Sequence, residues 1–230
     1  MNERILKFKE IIQNYKENYD ELISYQLLIK KEIIDYDPPN INYNRFAGID
    51  VAYDDEKGYA ACVIYDLQEN SIIKKQTAIS EISFPYVSTL FSFREGPIIL
   101  KLFETLNIKE IDLLFLNGHG LMHPRIGLAS HIGYLLDIPT VGIASNYLVG
   151  TYEQKLLEKG ENIKIFDGNK LIGFVYQSQS RVKPIYISVG HKISLTTALK
   201  MTAKLIINDK FPIPLLEAHN LANQIKSKNK

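Results

Sequence analysis

Ile5, Phe8, Ile12, Tyr15, Tyr19 and Leu22 recur at steps of three and four residues, a period that gathers them on one side of a helix. The spacing predicts an amphipathic helix from about Asn2 to Lys31, with Pro38 and Pro39 closing the segment. Three stretches with strand character follow, Phe46 to Tyr53, Gly58 to Asp66 and Ser71 to Ser80. Turn-prone Asp54-Asp55-Glu56-Lys57-Gly58 and Glu69-Asn70 join them into an expected antiparallel meander. After Pro97, Ile98, Leu102, Phe103 and Leu106 return to helical spacing. The apolar run Ile111, Leu113, Leu114, Phe115, Leu116 then reads as a buried strand, Ala129 to Leu136 as a helix and Thr140 to Ala144 as another strand. Tyr152 to Lys170 is polar and lysine-rich and reads as a surface insertion. Leu171 to Tyr176 and Pro184 to Val189 form a further strand pair, and Leu195, Leu199, Ala203 and Ile206 mark a C-terminal helix.

An antiparallel meander followed by β-α-β-α-β order describes an α/β mixed sheet flanked by helices, the outline of the ribonuclease H-like fold; a generic α/β domain fits the same pattern. At 230 residues, 46% hydrophobic and 23% charged, the chain is read as one domain over residues 1–230. With 27 basic and 26 acidic side chains the net charge is +1, so any site for a polyanion must be a local patch. The one cysteine, Cys62, sits among Ala60, Ala61, Val63 and Ile64 as a small core residue, which excludes an intramolecular disulfide framework. No apolar run approaches the roughly 20 residues of a membrane span, and the N-terminus lacks a leader's apolar core, so a cytoplasmic location is expected.

The segment Asn117-Gly118-His119-Gly120-Leu121-Met122-His123-Pro124-Arg125, running on to Ala129-Ser130-His131, places three of the five histidines directly after the apolar strand ending at Leu116. Ligand sites of open α/β sheets collect at such strand ends. His119 and His123 are four apart, but Gly118, Gly120 and Pro124 argue against the helix that joint zinc ligation would need. Gly118 and Gly120 suit either a tight turn or a close approach of main-chain N–H groups to an anion, and Arg125 suits a bidentate phosphate contact. Asp50 interrupts the apolar strand Phe46-Ala47-Gly48-Ile49-Asp50-Val51-Ala52; it is either a solvent-facing strand-end residue or a carboxylate held by a partner or a metal. Glu95, just ahead of the helix predicted after Pro97, is either a capping residue or a ligand. His191 ends the strand Pro184 to Val189 and is either structural or directed over the same sheet edge as Asp50 and Asn117.

In whole segments the chain resembles the endonuclease V family, metal-dependent nucleases that nick nucleic acid near deaminated adenine. The resemblance rests on Ala47-Gly48-Ile49-Asp50-Val51, Pro85-Tyr86-Val87, Phe93-Arg94-Glu95-Gly96-Pro97, the segment from Asn117 to His131, Ile138 to Ala144, and Arg181 to Tyr186 with Gly190-His191, in the expected order from Ile41 to Leu205. It implies that Asp50, Glu95 and the residue at 117 hold Mg²⁺, with Mn²⁺ as a substitute, and that His191 stands near the attacking water and scissile phosphate. It also implies that Tyr86 is a wedge beside the lesion and that Gly118, His119 and Gly120 line the pocket for the flipped base, with Arg125 among the nucleic-acid contacts.

Four departures qualify it. Asn117 stands where the family has an aspartate, Ser145 where it has a lysine, and Ser88 and Thr89 replace a proline and the following glycine of the wedge. Ile126 alone separates Arg125 from Gly127, where two residues are usual. An amide can lend Mg²⁺ its carbonyl oxygen but no charge. Asp54 or Asp55 is expected to compensate only if the loop after the first strand folds back. The expected functions are therefore a metal-dependent endonuclease acting near deoxyinosine or inosine in DNA or RNA, or an impaired paralogue that binds altered or single-stranded nucleic acid without cleaving it. An α/β protein with a small-molecule pocket is the third reading.

Overall fold

A computed structural model describes residues 2–15 and 18–229. Its centre is an eight-stranded mixed sheet in the order β3-β2-β1-β4-β5-β8-β7-β6. The strands are β1 Arg45–Tyr53, β2 Lys57–Asp66, β3 Ser71–Glu81, β4 Leu113–Asn117, β5 Thr140–Ala144, β6 Asn162–Asp167, β7 Lys170–Tyr176 and β8 Ile185–His191. β1, β2 and β3 form the antiparallel meander expected from their turns, β1-β4 and β4-β5 are parallel, and β5-β8, β8-β7 and β7-β6 are antiparallel. Cys62 is a buried core residue, as its neighbours in sequence suggest. No helix among the described residues is long and apolar enough to cross a membrane.

Helices α3 Phe91–Leu102 and α4 Leu128–Leu136 cover one face, where Ile98, Ile99, Leu102, Leu128 and Ile132 meet Ala47, Ile49, Val51 and Leu116. The alternate residues of the central strands, Phe46 and Phe115 among them, face α5 Leu195–Lys204 and α6 Ile213–Lys228 on the other side. By this alternation Asp50 and Asn117 point to the face that α6 covers.

The elements depart from their predicted form in four places. The N-terminal helix is two, α1 Glu3–Asn14 and α2 Tyr19–Lys30, because the Asn18 side chain accepts the Asp20 N–H at 3.0 Å and starts a new helix. Lys16 and Glu17, which the predicted continuous helix includes, lie outside the described residues. α3 begins at Phe91 and carries Pro97 inside it, so Glu95 is an interior helical residue and not a cap. The expected surface insertion contains β6, whose Ile163 and Ile165 point inward while Lys164 and Phe166 point out; its lysines mask this period of two. Finally, α6 escaped the pattern because its buried side, Pro214, Leu215, Ala218 and Ala222, carries one large apolar residue and so has little contrast to its polar neighbours.

α6 sits unusually close to β1. A Cβ placed on Gly48 would lie 2.2 Å from the Pro214 main chain, so glycine at this strand position lets the helix backbone rest on the sheet. On the opposite side, α1 and α2 pack against α4 around His131, whose ring lies 4.8 Å from Phe8, 5.2 Å from Phe93 and 5.6 Å from Tyr25. His131 Nδ1 is 2.8 Å from Ser92 Oγ, and burial holds the imidazole down to about 3.

Two expectations follow from this packing. Gly48→Ala should destabilise the protein by about 3 kcal/mol, because main chain must move to admit the methyl group; an unchanged urea midpoint would show that α6 lies elsewhere. For His131, the unfolded chain takes up a proton near pH 6.5 while the folded one does not until about 3, so unfolding binds a proton throughout that window and stability rises with pH there. His131→Phe should lower the slope of stability against pH between 4 and 6 by up to about 1.4 kcal/mol per pH unit. Parallel slopes for the two proteins, from denaturant titrations across that range, would contradict the assignment.

Candidate active site

Parallel pairing of β1 with β4 sets Ile49 beside Leu116 and thus brings Asp50, within β1, beside Asn117 at the C-terminal end of β4. Asp50 is 8% exposed, too buried for a carboxylate to rely on solvent. Its Oδ1 accepts the Asn117 Nδ2–H at 3.0 Å, and its Oδ2 lies 2.6 Å from His219 Nδ1. The Asn223 amide nitrogen stands 3.3 Å from His219 Nε2 and donates to the His219 carbonyl at 2.9 Å. The arrangement that satisfies each of these groups puts a proton on His219 Nδ1, given to Asp50, and leaves Nε2 to accept from Asn223.

Glu95 comes to this centre from α3, on the other face of the sheet. Burial pushes its carboxyl well above the usual range, and the nearby Asp50 charge pushes it further; the Tyr53 hydroxyl and the Arg94 guanidinium oppose the rise. Arg94 is itself held over the Tyr53 ring at 4.9 Å and donates to the Phe84 carbonyl at 2.7 Å. Asp50 and Glu95 are therefore two buried carboxyl groups close enough to repel, the electrostatic setting that a divalent cation relieves. Oxygen donors suit a hard cation such as Mg²⁺, and rotation of the Asn117 amide would add a third, neutral oxygen. The donor set fits such an ion with one charge fewer than a three-carboxylate site, and among the described residues no group of three or more His, Cys, Asp or Glu side chains is placed to hold a metal. Asp54 offers no replacement: it caps the β1–β2 turn, accepting the Glu56 and Lys57 N–H groups and the Tyr59 hydroxyl.

Beside Asn117 opens a cavity of about 370 Å³, lined by Gly118, His119, His123, Ser145 and Tyr86 among others. No acidic side chain, lysine or arginine is part of its lining. Burial holds His119 down to about 4 and His123 to about 3, so both rings are neutral at physiological pH and the wall is uncharged. Hydroxyls, amides and neutral imidazoles suit a neutral heterocycle better than a phosphate. Tyr86 is 73% exposed at the rim, with its ring 6.1 Å from Phe91.

Three predicted site residues stand otherwise than expected. His191 pairs with Thr140 at the start of β5, whereas Asn117 pairs with Ile143 near its end, so His191 lies at the opposite end of the sheet from Asp50. There it is buried, accepts the Ile34 N–H at 3.3 Å and is held down to about 4 by burial. His219, which sequence reading passed over, stands beside Asp50 in its place; the only signal for it was Ala218-His219 after the proline-bounded Phe211 to Leu216. Gly120 backs the site without lining the cavity: its N–H goes to Ser188 Oγ at 2.9 Å, that of Gly118 to the Ile143 carbonyl, and a Cβ on Gly120 would meet the Val189 oxygen at 1.9 Å. The glycines thus serve close packing, and neither N–H is free for an anion.

Arg125 is likewise committed within the protein. Its guanidinium donates to Gln26 Oε1 at 2.6 Å and to Thr89 Oγ1 at 2.6 Å and Thr89 O at 3.3 Å. Thr89 has φ +67°, a left-handed conformation that a β-branched residue adopts only at a cost and that suits the glycine expected there. The clamp from Arg125, with Gln26 Nε2 on the same carbonyl at 3.1 Å, holds the strained turn behind Tyr86.

The family model for endonuclease V matches residues 28–220. The chain belongs to the endonuclease V family. Endonuclease V of Dictyoglomus thermophilum is 37% identical over 203 residues, covering 87% of this chain and 88% of the relative. The crystal structure of endonuclease V from Streptomyces avermitilis superposes with a TM-score of 0.84 at 32% identity, covering 94% of this chain and 96% of that one. That of the Ciona intestinalis enzyme in complex with a 24mer DNA containing an inosine followed by a ribo-adenosine shares the fold at TM-score 0.82 and 24% identity, covering 93% and 99%. The sheet described above is thus the ribonuclease H-like sheet of the endonuclease V family, as its strand order in the sequence led one to expect. In this endonuclease V homologue, Arg125→Ala should free the turn around Thr89 while leaving the Asp50 centre intact. Amide exchange at residues 86–90 should accelerate by at least tenfold, and equal protection in the two proteins would refute the clamp.

Proposed function

We propose that this endonuclease V family member hydrolyses a phosphodiester near a deaminated adenine, deoxyinosine in DNA or inosine in RNA. The observation that carries the reading is the double position of Asn117, which is hydrogen-bonded to Asp50 and also lines the uncharged cavity. A flipped base seated in that cavity leaves its own backbone beside the Asp50 and Glu95 carboxyl groups, so recognition and cleavage share one wall.

Asp50 and Glu95 would hold Mg²⁺, or Mn²⁺ in its place, with the Asn117 carbonyl oxygen; bound there, the ion supplies an activated water and charge for the leaving oxygen. The residues of the chain supply the rest. His219 orients Asp50 through its Nδ1–H and, exposed at its outer side, is placed to pass a proton between solvent and the reacting phosphate. His119 and His123 contribute uncharged rings to the wall that meets the base, with His123 Nδ1 fixed by the Arg125 N–H at 3.1 Å, and Tyr86 at the rim fills the space that a flipped base leaves in its stack.

A second reading, a binding protein with little or no turnover, is favoured by one observation: each Asp50 oxygen already faces an N–H donor, from Asn117 and from His219. A single experiment separates the two. Oligonucleotides with one inosine, or adenine in its place, are incubated with excess wild-type protein or Asn117→Asp in Mg²⁺ or Mn²⁺, with binding followed in parallel. The proposal expects nicking of the inosine strand by wild type and a gain of at least tenfold for Asn117→Asp. Inosine-selective binding without nicking by wild type, with nicking restored in the variant, would establish the second reading. Neither binding preference nor nicking in either protein would sink both.

A further inference from the structure

The cavity wall does not stop at its rim. Tyr147, part of the lining and 49% exposed, lies with its ring 5.5 Å from Tyr152 and 5.9 Å from Tyr186. The Tyr152 and Tyr186 hydroxyls are 3.2 Å apart, and Tyr186 is buried on β8, so the cluster is anchored to the sheet. Past Tyr152 the surface continues into a hollow on the outer face of β6, where Lys164 and the partly exposed Phe166 stand with Lys155, and into a second hollow where Lys155 meets Arg181. Lys155, Lys164 and Arg181 have no ion-pair partner among the described residues. Glu153 is the one carboxylate in the lining of these two hollows.

Rings that offer flat faces, interleaved with unpaired cations, are what a single polynucleotide strand requires, since bases stack on the first and phosphates approach the second. The cavity itself supplies no cation, Ser145 stands where the family's lysine is expected, Arg125 is spent on Thr89, and the net charge of the chain is only +1. Attraction for a polyanion must then come from a local patch, and this one is continuous with the cavity through Tyr147. We propose that Tyr147, Tyr152, Lys155, Lys164, Phe166 and Arg181 form a track for the single-stranded nucleotides that flank, on one side, the base held in the cavity. The track rests on the nucleic-acid reading above and adds to it where the rest of the strand lies.

The test is fluorescence anisotropy, without divalent cations, on labelled single strands: a 5-mer with a central inosine, its adenine counterpart, and 15-mers extended from each only toward the 5′ or only toward the 3′ end. Wild type should bind one of the two extended inosine strands about tenfold more tightly than the inosine 5-mer. Lys155→Glu with Lys164→Glu should abolish that gain, lower the dependence of log affinity on log salt by about 1.4, and leave 5-mer binding unchanged. Tyr152→Ala should lose about fivefold on the long strand and Tyr152→Phe should retain it, which separates loss of a stacking ring from loss of the Tyr186 contact. A length gain that survives all these variants, or no length gain at all, overturns the track. Loss of inosine preference at every length overturns the cavity reading instead, and a variant-sensitive length gain would then still uphold the track. Concentration-dependent dimers in light scattering that Lys164→Glu abolishes would assign the surface to a second copy of the chain and overturn the proposal.

Discussion

The buried Asp50 carboxylate is the constraint around which the site is organised. A charge on a central strand, largely removed from water, has to be balanced locally or protonated. Here β4 contributes the Asn117 amide and α6 the His219 imidazole, one to each oxygen. The balance therefore depends on how strands and helix are stacked: the β1-β4 register fixes the distance to Asn117, and Gly48 allows α6 to approach closely enough for His219 to reach. Remove either neighbour and the carboxylate oxygen it served loses its protein donor, in a residue only 8% exposed. The substitution at 117 also changes the sign of a contact. A second aspartate at this point would repel Asp50 and demand a cation, whereas the amide donates to it, so the same residue that lowers the charge available to a metal makes the centre more self-sufficient.

A similar economy links the Tyr86 loop to the cavity. Thr89 is in a backbone conformation suited to glycine, and Arg125 holds it there through both its hydroxyl and its carbonyl. Arg125 reaches that turn from the segment where Ile126 alone separates it from Gly127, one residue fewer than the family pattern. Two departures that look unrelated in sequence, a threonine for a glycine and a shortened connection, thus meet in one set of hydrogen bonds. The guanidinium that sequence reasoning assigned to phosphate is used to keep the Tyr86 loop in place.

What was legible in the sequence follows from the kind of signal each element carries. The meander, β4, α4 and β5 announce themselves by apolar periodicity and turn residues, and their order is enough to give the mixed sheet. Asp50 and Asn117 were findable because polar residues within or at the end of apolar strands stand out, and Glu95 through the segment Phe93 to Pro97 that carries the family resemblance; the structure brings Asp50 and Asn117 into contact. α6 was not, since a helix that buries alanines and a proline beside a glycine of the sheet needs no large apolar stripe. With α6 unseen, His219 had no place, and the role went to His191, which ends a strand as the argument required. That strand runs antiparallel to β5, however, so its end is the wrong end, and direction within the sheet cannot be read from the strand's own residues.

The histidines illustrate how burial, more than residue type, decides chemistry. His131 is buried among aromatic rings and the Ser92 hydroxyl, His191 is buried against the Ile34 main chain with Asp137 3.9 Å from its Nε2, His119 and His123 face the cavity as neutral rings, and His219 is a half-exposed imidazole 2.6 Å from the Asp50 carboxylate. The cavity is in this way kept free of charge while the acidic pair and its imidazole stand just outside it. Such a division has a consequence for selectivity under the proposed function: an uncharged wall gains little from phosphate, so a base seated there would be discriminated through its own hydrogen-bonding edge. Affinity for the rest of the strand would then have to be supplied elsewhere on the surface, where a change in cation placement would alter binding without altering which base is accepted.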